Sequence, residues 1–270
     1  MIRSANENIW TKCQDSWYDY EYNIYKTYEN YFGAVTCCSG CLAGYRREAI
    51  EGVLSNWISD NQKCCQNRPK SAFPYVQMKN GRNWIETALL HKIDMIFHNL
   101  MDSLLSYDDS EDRAMTTYCL MNWKSVYLST AVAYTEAPTN FKIFVRQQQR
   151  WKKGYLRANL FASVFFWSNK NPLFSLLFYC GLLLTLVAPL VTVMALCYGI
   201  FVLNEPLAPL SLVGGFIAIG FLEGIDYKMR DSEAKNWKYR PLMNLLLSFI
   251  ISWLIFSAII NYRKNVWLTR

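Results

Sequence analysis

At 270 residues, with 52% hydrophobic and 16% aromatic residues and a net charge of +7, the chain is long enough to bury a sizeable core. Its apolar residues concentrate after residue 158, so the sequence divides into a soluble region and a membrane region. The positive charge lies mainly in segments flanking the apolar runs, without the interleaved aromatics of a nucleic-acid surface. It therefore reads as attraction to lipid headgroups and phosphate, and nucleic acid is excluded as a partner.

Nine cysteines do not read as a secreted disulfide framework, because Cys180 and Cys197 fall inside an apolar run; reduced cytosolic thiols are expected. Cys38 and Cys41 with Cys64 and Cys65 offer four thiolates, but adjacent cysteines are awkward tetrahedral ligands, and no metal site is assigned. Residues 1–8 lack the apolar core of a signal peptide.

In chain order, residues 7–32 carry Trp10, Trp17, Tyr18, Tyr20, Tyr22, Tyr25, Tyr28 and Tyr31 at helical spacing. That pattern predicts a helix with an aromatic face, for which core packing is favoured over sugar stacking. Phe32 to Leu42 reads as a short buried strand with a turn at Ser39-Gly40, followed by a helix opening on Arg46, Arg47 and Glu48. The interval 62–110 reads as an inserted helical segment with an apolar stripe from Trp84 to Leu105. His91, Asp94 and His98 share one side of it and form a solvated polar face, since the two histidines stand about 10 Å apart along a helix.

Asp112 is expected to begin the next helix, with Met115, Tyr118, Leu120 and Met121 following. Val126 to Tyr134 alternates as a strand and stops at Thr135-Glu136-Ala137-Pro138. Asn140 to Leu160 is amphipathic and rich in Lys, Arg and aromatics, the composition of a helix in the headgroup plane. Pro172 to Leu203 is uncharged and long enough to span, with a tolerated kink at Pro189. Asn204-Glu205-Pro206 makes an external turn, and Leu207 to Leu222 returns. Lys228, Arg230, Lys235, Lys238 and Arg240 then form a cytosolic basic loop. Pro241 to Ile260 either spans or lies re-entrant or interfacial; basic residues on both flanks favour the second.

Four short motifs carry the chemistry. In Gln147-Gln148-Gln149-Arg150-Trp151, Arg forks onto phosphate oxygens and Trp stacks on an apolar sugar face, which suits a nucleotide-sugar site beside a bilayer. Read alone, the same cluster is an interfacial anchor. Upstream stand Glu111-Asp112-Arg113 and Ser39-Gly40-Cys41 with Tyr45-Arg46, and the chain ends Trp267-Leu268-Thr269-Arg270.

In this order the motifs resemble the processive membrane family-2 glycosyltransferases, which include hyaluronan synthases, chitooligosaccharide synthases and chitin synthases. The family pattern has Pro at Cys41, Gly at Ser110 and Gly at Leu268, so the local backbone differs there. The resemblance implies an α/β fold, the acceptor-side part of a GT-A-type domain over 1–157, followed by α-helical membrane elements over 158–270. It implies an inverting transfer of a hexose or N-acetylhexosamine from a nucleotide sugar, a UDP-sugar above all, to a growing polysaccharide. Asp112 would be the base, Glu111 its support and Arg113 its orienter; read alone, Glu111 and Asp112 are an acidic pair at a helix N-terminus, favoured there by the helix dipole. Gln147, Arg150, Trp151, Ser39, Gly40, Trp267 and Arg270 would bind substrate, and Trp267 and Arg270 would close on the leaving diphosphate with Gln147 and Arg150.

Mg²⁺ or Mn²⁺ is implied as well, but the Asp-x-Asp that holds it in the family has no counterpart among the residues preceding Ser39. The chain thus reads as the C-terminal half of such an enzyme, multi-pass in the cell membrane with its catalytic side cytosolic and with a donor-binding half or partner chain expected. The alternative is a non-catalytic membrane subunit or scaffold derived from such a synthase.

Overall fold

The computed structural model describes residues 2–4, 8–62, 111–163, 166 and 170–261. The insertion expected at 62–110, apart from Gln62, and the terminal Trp267–Arg270 lie outside these residues.

The aromatic segment folds as expected into one helical run. Helix α1, Ile9–Asp19, starts at Asn8, whose side chain accepts from the Thr11 amide while the Asn8 amide donates to Thr11 Oγ1, both at 2.9 Å. This reciprocal cap satisfies donors that a helix start leaves open. A π-helical stretch, Tyr20–Tyr25, leads into α2, Lys26–Tyr31. The extra residue per turn shifts the aromatic stripe around the axis. Tyr18, before this stretch, is buried, while Tyr25, at its end, is exposed. The run ends before Gly33, whose φ of +62° is a conformation only glycine takes without strain.

The α/β expectation is met only in part: the described residues are mostly helical, with two three-residue strands. β1, Ile2–Ser4, pairs in parallel with β2, Ala133–Thr135, and an isolated bridge joins Ala34 to Ser125. The predicted strand over 32–42 does not form because side chains take up its backbone groups. Glu29 accepts from the Thr36 amide, Ser125 Oγ donates to the Val35 carbonyl, and Thr116 Oγ1 accepts from the Cys38 amide. A segment whose polar groups are satisfied this way needs no ladder. The strand predicted over 126–134 shortens to its last residues for a similar reason, since Asn30 Oδ1 accepts from the Tyr127 amide at 2.8 Å.

Helices α3, Arg47–Gln62, and α4, Glu111–Asn122, pack with α5, Phe141–Ser163, around Ala49, Val53, Tyr118, Cys119 and Phe161. Beyond α5 come α6, Pro172–Phe201, and α7, Ala208–Arg230. A third apolar stretch, Trp237–Ile260, comprises a 3-10 turn, α8 (Arg240–Leu246), a π-turn, Leu247–Ile251, and α9 (Leu254–Ile260). All three stretches are long and apolar enough to cross a membrane. Large apolar side chains such as Leu184, Met194, Leu210 and Leu222 point outward along α6 and α7, as a lipid-facing surface does.

Helix α7 continues two turns past Leu222 because its acidic residues find partners: Glu223 meets Arg240, and Asp226 meets Arg230. Close packing of α7 on the start of α8 requires glycine. A Cβ at Gly220 would stand 2.5 Å from Pro241 Cα, and one at Gly224 2.7 Å from the Trp237 carbonyl oxygen. Across this junction α1 is fastened to the end of α7 and to the segment that follows it. Arg230 forks onto Asp19 at 2.6 and 3.2 Å, and Asp15 accepts from Asn236 at 2.9 Å.

Candidate active site

The loop after α2 and the first turn of α4 form one unit. Gly40 N donates to Asp112 Oδ2 at 3.2 Å, and Cys37 Sγ lies 3.8 Å from the same oxygen. Asp112 Oδ1 accepts from the Arg113 amide at 2.7 Å. The carboxylate is thus aimed by backbone amides from two elements, with lone pairs left over for a further donor. Thr116, one turn on, donates to the Asp112 carbonyl at 2.7 Å, accepts from the Cys38 amide at 2.9 Å and stands 3.3 Å from the Tyr45 hydroxyl. Sequence reasoning placed Ser39, Gly40, Asp112 and Arg113 in one site, and the fold brings these elements together; Glu111 opens α4 beside them.

From Asp112 the site runs toward α5. The Arg113 guanidinium sits 5.2 Å from the Tyr155 ring centroid and faces Cys37, Glu29 and Tyr25. One turn earlier on α5, Trp151 packs against Trp17 with ring centroids 6.0 Å apart. Trp17 in turn donates to Glu21 Oε1 at 3.2 Å. Lys152 Nζ lies 6.0 Å from the Tyr155 ring, and burial pulls its ammonium below the ordinary lysine range, with Glu21 opposing. Burial pushes the Tyr22 hydroxyl up, against the effect of its hydrogen bond with Ser39. Tyr22 thereby ties the aromatic helix to the Ser39-Gly40 turn.

Gln147 and Arg150 occupy the same helix as Trp151 and are half-buried. Gln147 Oε1 is buried without a hydrogen-bond partner among the described residues, an atom open to a ligand donor. Gln149 is committed elsewhere, donating to Ser257 Oγ at 2.5 Å. Trp267 and Arg270 lie outside the described residues. No group of three or more His, Cys, Asp or Glu side chains suited to a metal ion occurs among those residues. The described residues therefore do not supply a donor set that fits the Mg²⁺ or Mn²⁺ implied by the resemblance.

A family model described as chitin synthase matches residues 1–264. The chain belongs to the chitin synthase family. It is 26% identical over 257 residues to chitin synthase 4 of Pyricularia oryzae, covering 89% of this chain and 18% of that protein. Against chitin synthase 5 of Exophiala dermatitidis the identity is 28% over 239 residues, covering 83% and 11%. Against chitin synthase 3 of Saccharomyces cerevisiae it is 27% over 237 residues, covering 84% and 18%. The chain spans less than a fifth of the length of these relatives. The three-way resemblance read from the motifs narrows to chitin synthase.

Set in the chitin synthase family, the site also contains residues that the motifs did not mark. Tyr22, Tyr25 and Tyr155 surround Arg113 and Ser39, and Lys26 donates to the Cys37 carbonyl. The aromatic stripe of residues 7–32 was the available signal. It gave a helix and its faces, but not which ring would meet which loop.

Proposed function

We propose that these residues form the acceptor side and membrane entrance of a synthase that builds a chitin-like polymer from UDP-N-acetylglucosamine. The observation that carries the reading is the seating of Asp112 between Gly40 and Arg113. In the proposed reaction the acceptor hydroxyl oxygen bonds to C1 of the donor sugar, with inversion, as the C1–O bond to the diphosphate breaks. The hydroxyl proton passes to Asp112, and UDP leaves with the electron pair. Trp151, backed by Trp17, supplies the apolar face on which the acceptor sugar stacks. Gln147 and Arg150 meet the leaving diphosphate. In membranes containing the protein in its native assembly, labelled UDP-N-acetylglucosamine is expected to enter an insoluble polymer that chitinase digests. Label entering only soluble or chitinase-resistant product would sink the reading.

The catalytic side is proposed to be cytosolic. Support comes from α1, which joins the site to the Asp226–Arg240 junction through Asp15 and Asp19, so both lie on one side of the bilayer. Helix α7, at 23 residues, then carries the chain about 35 Å to the Asn204 turn on the other side. The stretch Trp237–Ile260 lies along α5, with Met243 and Ile251 against Phe144 and Ile255 against Leu156. Since α5 has the composition of an interfacial helix, its companion is proposed to stay at the interface too. In a background with native cysteines replaced by serine, a cysteine at Asn204 should react with an impermeant external thiol reagent. Cysteines at Asp231 and Asn261 should not. External labelling at Asn261 would mean that the last helix spans.

A further inference from the structure

The Thr36–Gly40 loop that seats Asp112 hangs from a carboxylate that no motif marked. Glu29, on α2, is 2% exposed. Its Oε2 accepts from the Thr36 amide at 3.1 Å and its Oε1 from Thr36 Oγ1 at 2.5 Å. One turn earlier, Lys26 donates to the Cys37 carbonyl. The next backbone amides along the loop go to the other helix, Cys38 N to Thr116 and Gly40 N to Asp112. The loop is therefore strung between α2 and α4, with Glu29 and Lys26 at one end and the proposed base at the other. A carboxylate this deeply buried is costly, and an apolar residue of similar volume would pack at least as well. Helix packing alone gives no reason for an acid at this position.

We infer that Glu29 is a positioning residue for the transfer step, anchoring the loop whose Gly40 amide aims Asp112. The inference rests on the reading of Asp112 as base. Arg113 supplies a second connection, because it adjoins Asp112 in the chain and faces both Glu29 and Cys37. The charged and titratable groups around Glu29 are Lys26, Tyr25, Tyr28, Cys37, Cys38 and Arg113. Burial pushes its carboxyl above the usual range, with Lys26 and the Thr36 hydrogen bonds acting against that rise. Replacing Glu29 by Gln keeps the shape and removes the charge. Thr36→Val removes the side-chain bond, whereas Thr36→Ser retains it.

Two measurements on membranes holding the protein in its native assembly test the anchor. Glu29→Gln and Thr36→Val should lower kcat about ten- to hundredfold, the range expected for losing a hydrogen bond to a charged group, with KM for the nucleotide sugar within about twofold. Thr36→Ser should remain near wild type. Pulsed alkylation read by mass spectrometry should show Cys37 reacting severalfold faster in the two impaired variants, because its loop has been released. The alkylation needs no catalysis, so it still reports on the anchor if Asp112→Asn proves active and the assignment of the base fails. Wild-type labelling of Cys37 in Glu29→Gln and Thr36→Val would overturn the anchor. Faster labelling with unchanged kcat would overturn its role in positioning.

Discussion

Asp112→Asn should abolish polymer synthesis while leaving membrane abundance unchanged. The substitution preserves the shape, and the remaining carbonyl oxygen still accepts one of the two backbone amides at 2.7 and 3.2 Å. An amide has no basicity to receive the acceptor hydroxyl's proton. A general base typically contributes about 10²- to 10⁴-fold, so incorporation of labelled sugar should fall by at least that lower figure. Trp151→Ala should also impair synthesis, by removing the proposed sugar platform and the Trp17 contact together. Incorporation near wild type in Asp112→Asn would remove this residue from the chemistry, however well the loop is held.

Glu223→Gln should produce the largest loss of stability. Glu223 accepts from Arg240 Nε at 2.8 Å and from Asn244 at 2.9 Å, and the guanidinium lies 4.6 Å over the Tyr20 ring. Arg240 is almost fully buried, at 3% exposure, so Gln leaves a buried cation without its counter-charge. Breaking such a pair costs about 3–5 kcal/mol, and partial exposure of Glu223 puts the expectation at the lower end. Thermal unfolding of the detergent-solubilised protein should move to clearly lower temperature, and Glu223→Gln combined with Arg240→Gln should recover much of the loss. If the single variant unfolds like wild type, the pair does not secure the α7–α8 junction. The same junction bears the Asp15 and Asp19 contacts to α1, so the variant should also reduce activity at a site it does not touch.

The sequence by itself determined the features that depend on local pattern. The aromatic periodicity of residues 7–32 specified a helix, and it forms. The uncharged run after Pro172 specified a membrane-length helix, and Pro172–Phe201 is one. Four motifs in one order carried the resemblance to the family-2 glycosyltransferases, because their order along the chain is itself a property of the sequence. The family match agrees with that reading.

Tertiary structure decided the rest, for reasons of long-range hydrogen bonding. Phe32 to Leu42 has the composition of a strand, yet its amides and carbonyls are taken by Glu29, Lys26, Ser125, Thr116 and Asp112. Those partners come from as far as 90 residues away, beyond the reach of any window of local pattern. Alternation at 126–134 likewise predicted a strand longer than the ladder that Ile2–Ser4 can support. An apolar run ending at Leu222 gave no hint that α7 would continue to Arg230, since only the fold places Arg240 against Glu223. Periodicity fixes which face of an element is apolar; the identity of the group that meets a buried charge is fixed only when distant segments pack, and that packing turns Asp112 from one acid in an acidic run into an aimed carboxylate.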